Sequence, residues 1–174
     1  PFLYFIVFGK SCLQYYTNTK LYCAFIEGIF DKSLFHFYEF YKTRFVPVAR
    51  KGHPLDGLEA TISEIHEYPL ILREEGSGTR EIYQNYLYQN NDSMLSVSKI
   101  YEISSFGIIK KVLSNSNAIS FMYEEVARQE VERGELCYLT IHNYLIERPL
   151  YFIYPSNSLM KERNELFYQK LMQR

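Results

Sequence analysis

The chain has 174 residues, enough for one ordinary domain or two small lobes with a real core. Hydrophobic residues supply 47% and charged residues 22%, and the formal net charge is −1 with no long basic run, which argues against this chain gripping nucleic acid by itself. Cys12, Cys23 and Cys137 form no C-x-x-C pair, so they read as reduced, buried small hydrophobes of a cytoplasmic protein rather than a disulfide or zinc framework.

The apolar opening Pro1-Phe2-Leu3-Tyr4-Phe5-Ile6-Val7-Phe8 is stopped by Gly9-Lys10, far short of a membrane span. It also lacks the basic stretch and small-residue cleavage site of an export signal, so no membrane anchor or export is expected. Residues 5–8 and 23–26 read as strands, and 43–49 as a third that Pro47 confines to an edge or a crossover. Thr61-Ile62-Ser63-Glu64 is a capping box opening a short helix that must end before Pro69. Tyr68-Pro69-Leu70-Ile71-Leu72 suits a buried strand, and Ile82, Tyr83, Tyr86 and Leu87 recur at helical spacing after it. A strand over 95–103 precedes a helix from about Ser105 with Phe106, Ile109, Val112 and Leu113 on one face. Residues 118–122 read as a strand, apolar except for Ser120, followed by a helix over 123–133 that ends with Arg133 in its last turn and Gly134 just beyond. Strands over 136–141 and 150–154 and an amphipathic helix carrying Leu159, Leu166, Phe167 and Leu171 complete the chain. Alternating strands and helices predict parallel sheets covered by helices, an α/β fold.

The most informative stretch is Leu72-Arg73-Glu74-Glu75-Gly76-Ser77-Gly78-Thr79-Arg80, set between the buried strand and the amphipathic helix. Gly76 and Gly78 permit a turn without a Cβ clash, and Ser77 and Thr79 suit the first helical turn. A strand, a glycine-broken turn and a capped helix start aim unpaired N–H groups and the positive dipole end at one point, which is how an anion or carboxylate is cradled. Ser77 and Thr79 would serve equally well as plain helix caps. Arg73 and Arg80 flank the turn, free to hold a carboxylate or to pair with Glu74, Glu75 or Glu81.

Four pieces in order, Cys23-Ala24-Phe25-Ile26-Glu27-Gly28, Lys51-Gly52-His53-Pro54-Leu55, Leu70 through Arg80, and Gly134-Glu135-Leu136 after a helix, resemble the effector-binding domain of LysR-type transcriptional regulators. The resemblance runs from about Leu21 to the C-terminus. It implies two Rossmann-like lobes joined by two crossovers, in the type II periplasmic-binding-protein manner. One lobe would use residues 1–46 and 140–174, the other residues 47–139 continuously. Only 22 residues precede the strand at 23–26, roughly half of what a complete domain of this type needs, so the first lobe is expected to be incomplete. None of the residues resembles the family's DNA-binding winged helix-turn-helix, so contact with DNA is expected only through a domain outside them.

Ligands in parallel α/β sheets bind beyond the carboxyl ends of the strands. The candidate contacts are therefore Ser77, Gly78 and Thr79, with Ser11, Glu27, Ser104, Ser105 and Phe121 at the other strand-to-helix handovers. Each has an ordinary alternative: a cap for Ser104 and Ser105, a turn for Lys10 and Ser11, a cap for Glu27, and core for Phe121. His53 belongs to the segment resembling the family's His-Pro-Leu loop. His36, His66 and His142 share no metal-ligand spacing, so no metal and no cofactor is expected. No G-x-S-x-G elbow is present, and Asp31, Asp56 and Asp92 all sit in turn-like stretches, so catalysis is not expected. The expectation is an effector-sensing domain that binds a small anionic or carboxylate ligand between its lobes and self-associates as a dimer or tetramer. The alternative is a stand-alone anion-binding protein of the solute-binding class.

Overall fold

The computed structural model describes residues 5–8, 23–27 and 30–173. The chain divides into two compact units, residues 1–43 with 147–174 and residues 44–146. The first division falls inside one long strand. The second comes later than residue 139 because Leu139, Ile141, Tyr144 and Ile146 pack into the core of the middle unit.

In the first unit, β1 (Phe5–Phe8) runs parallel to β2 (Ala24–Glu27), and β2 pairs antiparallel with β10 (Glu147–Pro155). β10 in turn neighbours β3 (Phe35–Arg50). That strand is far longer than expected. The aromatic-rich run from Phe35 to Tyr41 suits a pleated surface, and its alternate side chains reach two faces. Phe35 and Phe37 meet Phe30 on one, while Tyr38 and Phe40 meet Tyr168 and Phe25 on the other. The second face is covered by α5 (Lys161–Met172), whose Tyr168 stacks on Tyr38 at 4.7 Å and on Phe152 at 5.6 Å. Asn164, Phe167, Tyr168 and Leu171 make its inward stripe, at i, i+3, i+4 and i+7. Leu166 lies off that stripe and is exposed, as is Leu159 before the helix, so neither belongs to the apolar face expected for them.

The middle unit is a sheet between two helical layers. β5 (Leu70–Leu72) runs parallel to β6 (Ile100–Glu102) on one side and to β7 (Ile119–Tyr123) on the other. The second half of β3 lies antiparallel to β7 and also to β8 (Leu136–Tyr138). Pro47 is thus not at an edge. It sits where the strand passes from one unit to the next, with its carbonyl accepting from the Leu139 amide at 3.0 Å. A strand residue's N and O point the same way, so its missing donor faces the end of β8 and costs β7 nothing. The stretch expected as one strand over 136–141 breaks at Leu139. β9 (Thr140–Ile141) pairs instead, in parallel, with β4 (Glu59–Ala60).

On one face of this sheet, α1 (Ile62–His66) and α2 (Gly78–Gln89) bury Ile65, Ile82, Tyr83 and Leu87 against Phe45, Leu70, Leu72 and Phe121. On the other, α3 (Phe106–Ser114) and α4 (Glu124–Glu132) bury Ile109, Leu113 and Ala127 against Val48, Ile71 and Met122. Ser120, inside the fully buried β7, donates to the Ile71 carbonyl at 2.6 Å and so leaves no orphan. α1 opens on the expected capping box, with both reciprocal bonds of Thr61 and Glu64 formed. α4 closes as a Schellman motif: Gly134 at φ +72° donates to Val131 and Glu135 to Glu130. Of residues 95–103, only Ile100–Glu102 is strand, and Met94–Ser96 is a 3₁₀ turn. There Ser93 Oγ accepts from the Leu95 amide and Ser96 Oγ bonds to Asp92, local bonds that outcompete an extended backbone. Val112 does not join the buried stripe of α3. At 37% exposure it lines a groove of about 330 Å³ with Pro69, Ile71, Tyr101 and Ala118, which holds none of the candidate ligand residues.

Candidate functional site

Because β5, β6 and β7 are parallel, their carboxyl ends share one edge of the middle unit. Three features lie there: the turn after Leu72, the loop after Glu102 and the start of α4 after Tyr123. The first is the most developed. Gly76 takes φ +82°, a left-handed conformation that a side chain would strain. Ser77 follows as N-cap of α2, its amide bonded to the Glu74 carbonyl at 3.1 Å and its hydroxyl accepting weakly from the Arg80 amide at 3.4 Å. Ser77 therefore does act as a cap. Thr79 does not: its Oγ1 is buried without a hydrogen-bond partner among the described residues. The amides of Gly78 and Thr79 likewise precede the first intrahelical bond, which runs from Glu81 to the Ser77 carbonyl at 3.0 Å. A Cβ built on Gly76 or Gly78 would meet nothing within 4 Å, so the space before the helix start is open.

The flanking arginines are tied down within the protein. Arg73 bonds bidentately to Glu74, at 2.8 and 2.7 Å, and lies over the Phe106 ring. That pairing pulls the Glu74 carboxyl down to about 2. Arg80 donates through Nη1 to the Arg73 carbonyl and to Glu102, bracing the turn against β6. Glu102 was not among the partners expected from spacing along the chain, since it is brought in by the parallel register Leu72↔Glu102. Arg80 Nε, by contrast, is buried and unbonded among the described residues. Among the described residues, the Thr79 hydroxyl, the Gly78 and Thr79 amides and Arg80 Nε, all from one turn, have no hydrogen-bond partner, and donors of this kind suit a negatively charged group.

The remaining candidates are spread out. Ser104 and Ser105 are exposed in the loop leading into α3, and Ser105 is its N-cap without a side-chain cap bond. Phe121 is buried at 3% exposure, stacked on Tyr83 with ring centroids 4.1 Å apart, so it supports α2 from below. Glu27 belongs to the first unit, at the carboxyl end of β2. Ser11 and Lys10 lie outside the described residues.

A buried polar group joining α1, α2 and Asp92 has no counterpart among the sequence expectations. His66, at the end of α1 and 3% exposed, meets the Tyr83 hydroxyl at 2.7 Å through Nε2 and approaches Asp92 at 3.6 Å through Nδ1. Burial holds the His66 imidazole below its ordinary pKa. His53 is also depressed by burial, with Nδ1 accepting from the Leu55 amide at 3.1 Å and Nε2 facing the Asn117 carbonyl at 3.3 Å. The His66 and Tyr83 positions are 17 apart in the chain, a spacing with no local pattern to reveal it. Cys23 and Cys137 are buried free thiols, each pushed up to about 11 by burial, and Cys12 lies outside the described residues. Among the described residues, no group of three His, Cys, Asp or Glu could hold a metal ion, and no helix is long and apolar enough to cross a membrane.

Residues 14–174 match the family model described as the LysR substrate binding domain. Among curated proteins, the chain is 28% identical over 143 residues to the HTH-type transcriptional regulator CysL of Bacillus subtilis, covering 82% of this chain and 47% of that protein. It is 28% identical over 127 residues to the RuBisCO operon transcriptional regulator of Acidithiobacillus ferrooxidans, covering 72% of this chain and 40% of that one. The chain thus spans less than half the length of either. Among solved structures, the CcmR regulatory domain of Synechocystis PCC6803, in complex with 2-PG, aligns with a TM-score of 0.79 at 23% identity over 94% of this chain and 77% of that one. The fold is accordingly that of these regulatory domains, the type II periplasmic-binding-protein arrangement expected from the sequence. With the family model spanning nearly its whole length, the chain belongs to the family of LysR substrate binding domains.

Proposed function

We propose that this chain is the effector-sensing domain of a LysR-type transcriptional regulator, and that it recognises a small molecule bearing a carboxylate or another anionic group. The observation that carries the reading is the start of α2, where the Thr79 hydroxyl and the Gly78 and Thr79 amides have no partner among the described residues. A buried hydroxyl without a partner costs free energy that a ligand oxygen would recover. The helix dipole favours a negative charge at the same point. Family membership and the relatives' regulatory names support the same reading.

In this account Ser77, Gly78 and Thr79 hold the anionic group. Ser104 and Ser105 line the neighbouring strand end, and Phe121 fixes α2 in place through Tyr83. The domain acts by binding rather than by turnover. A ligand shifts its conformational balance only through differential affinity for the available states. The whole regulator acts in the cytoplasm as a homo-oligomer and reaches DNA through a separate domain. Sedimentation of the purified chain is expected to show association that rises with concentration, and a monomer at every concentration would count against the oligomer.

The test is a thermal-shift screen against small carboxylates, amino acids and oxyanions. A ligand at 100 times its dissociation constant adds about 2.7 kcal/mol. For a chain of this size that raises Tm by roughly 5–10 °C. The rise is expected to disappear on Thr79→Val, which keeps the shape of the side chain and deletes its hydroxyl. A ligand that stabilises the parent and the Thr79→Val variant equally would place the anion elsewhere.

A further inference from the structure

The His66 ring, in the last turn of α1, joins three separate pieces of the middle unit. Nε2 lies 2.7 Å from the Tyr83 hydroxyl in α2, and Nδ1 lies 3.6 Å from the Asp92 carboxylate in the loop after that helix. The carboxylate assigns the tautomer: the nitrogen facing it carries the proton, so Nε2 accepts from the Tyr83 O–H. The His66 carbonyl also accepts from the Ser98 amide at 2.9 Å, two residues before β6. Asp92 is held in turn by the Ser93 amide at 2.7 Å and by the Ser96 hydroxyl. Tyr83 and Asp92 are the titratable groups that meet the ring, and Tyr86, a turn further along α2, feels the same Asp92 charge. The charged groups nearest along the chain turn elsewhere, Glu64 to Thr61 and Lys99 to the Tyr101 ring, and Glu67 is exposed.

Tyr83 links this ring to the candidate anion site. It follows Thr79 at i+4 on α2, on the same helix face, and its ring stacks on Phe121 at 4.1 Å. Burial holds the His66 imidazole below its ordinary pKa, with Asp92 opposing. A proton added at Nε2 turns that acceptor into a donor. The Tyr83 hydroxyl must then rotate to accept, and its own hydrogen loses its partner at a fully buried position. The hold on α2 weakens one turn from Gly78 and Thr79.

We infer that His66 is a positioning residue for the start of α2, acting through Tyr83: the neutral ring holds the Gly78 and Thr79 amides in the geometry that receives an anion, and protonation releases them. This rests on the anion-binding reading of that turn and adds its regulation. Proton uptake at His66 and anion binding then oppose each other, in both directions. Plain charge attraction predicts the reverse, because an added proton favours an anion nearby.

The ligand-free protein tests the coupling by itself. In ¹⁵N-labelled chain, the His66 ring and the Gly78 and Thr79 amides are followed by NMR from about pH 8 down to about pH 5. The amides are expected to move with the His66 midpoint. Tyr83→Phe keeps the imidazole and cuts the link, so His66 still titrates while the amides no longer follow. His66→Gln is expected to flatten the amide response, whereas His53→Gln, which removes the other buried imidazole, leaves it in place. Sulfate, a dianion throughout this range, reads the consequence. Its affinity is expected to fall about fivefold or more on acidification in the parent, and not in Tyr83→Phe. A His66 ring that stays neutral until the chain unfolds, amides that ignore its midpoint or still follow it in Tyr83→Phe, or a sulfate affinity that stays level or rises on acidification would overturn the inference. If the amides follow His66 but sulfate shifts them at neither pH, the anion reading fails and the coupling of His66 to α2 stands.

Discussion

Tyr83→Phe is expected to destabilise the middle unit by about 1–3 kcal/mol. Tyr83 is fully buried, its hydroxyl lies 2.7 Å from His66 Nε2, and its ring stacks on Phe121 at 4.1 Å. Phenylalanine keeps the ring and the stack and removes only the oxygen, so the cost isolates the hydrogen bond. His66 is 3% exposed, leaving water no room to replace the lost partner. The orphaned ring nitrogen then carries its full desolvation penalty. At roughly 2–4 °C per kcal/mol, Tm falls by roughly 2–12 °C. Urea unfolding followed by circular dichroism provides the assay, with a lower midpoint and an unchanged slope as the expected result. His66→Leu combined with Tyr83→Phe deletes both polar groups, and the double variant is expected to lose less than the sum of the singles, by about 1–2 kcal/mol. If Tyr83→Phe matched the parent within about 0.3 kcal/mol at a pH where His66 is neutral, the hydrogen bond would not hold the two helices and the reasoning would fail.

Two further outcomes follow from the same unit. Thr61→Ala removes one half of the capping box of α1 and is expected to cost about 0.5–2 kcal/mol, measured by the same urea midpoints, with no change meaning that the box is idle. Stability is also expected to depend on acid. Burial lowers the pKa of His53 and His66 in the folded chain. As pH falls through about 6.5 the unfolded chain therefore takes up protons that the folded chain does not, and stability present above that pH is lost below it. Urea midpoints measured from about pH 7.5 down to about pH 5.5 should decline, and a flat profile would show that neither imidazole stays neutral on folding.

Much of the fold was legible because its signals are local. The capping box at Thr61, the glycine stop at Gly134 and the apolar run ending at Leu72 each use neighbouring residues alone, and each formed where expected. Reading failed where distant residues decide. The strand expected over 95–103 yielded to serine and aspartate side chains that bond their own backbone. The aromatic run at Phe35–Tyr41 became strand because β10 and α5 cover it, which no local period announced. At the turn, the sequence indicated glycines, a cap and a helix start. It could not show that Ser77 would be spent on capping while the Thr79 hydroxyl stayed unpaired, nor that Arg80 would reach across to Glu102.

The central claim is that an anion sits at the start of α2, and an amide chemical-shift titration tests it most directly. ¹⁵N-labelled protein would be titrated with the strongest stabilising carboxylate or oxyanion from the screen. Saturable shifts largest at the Gly78, Thr79 and Arg80 amides are expected, and they should vanish in Thr79→Val. Saturable shifts that leave Gly78 and Thr79 unmoved, with the largest changes elsewhere, would contradict the account.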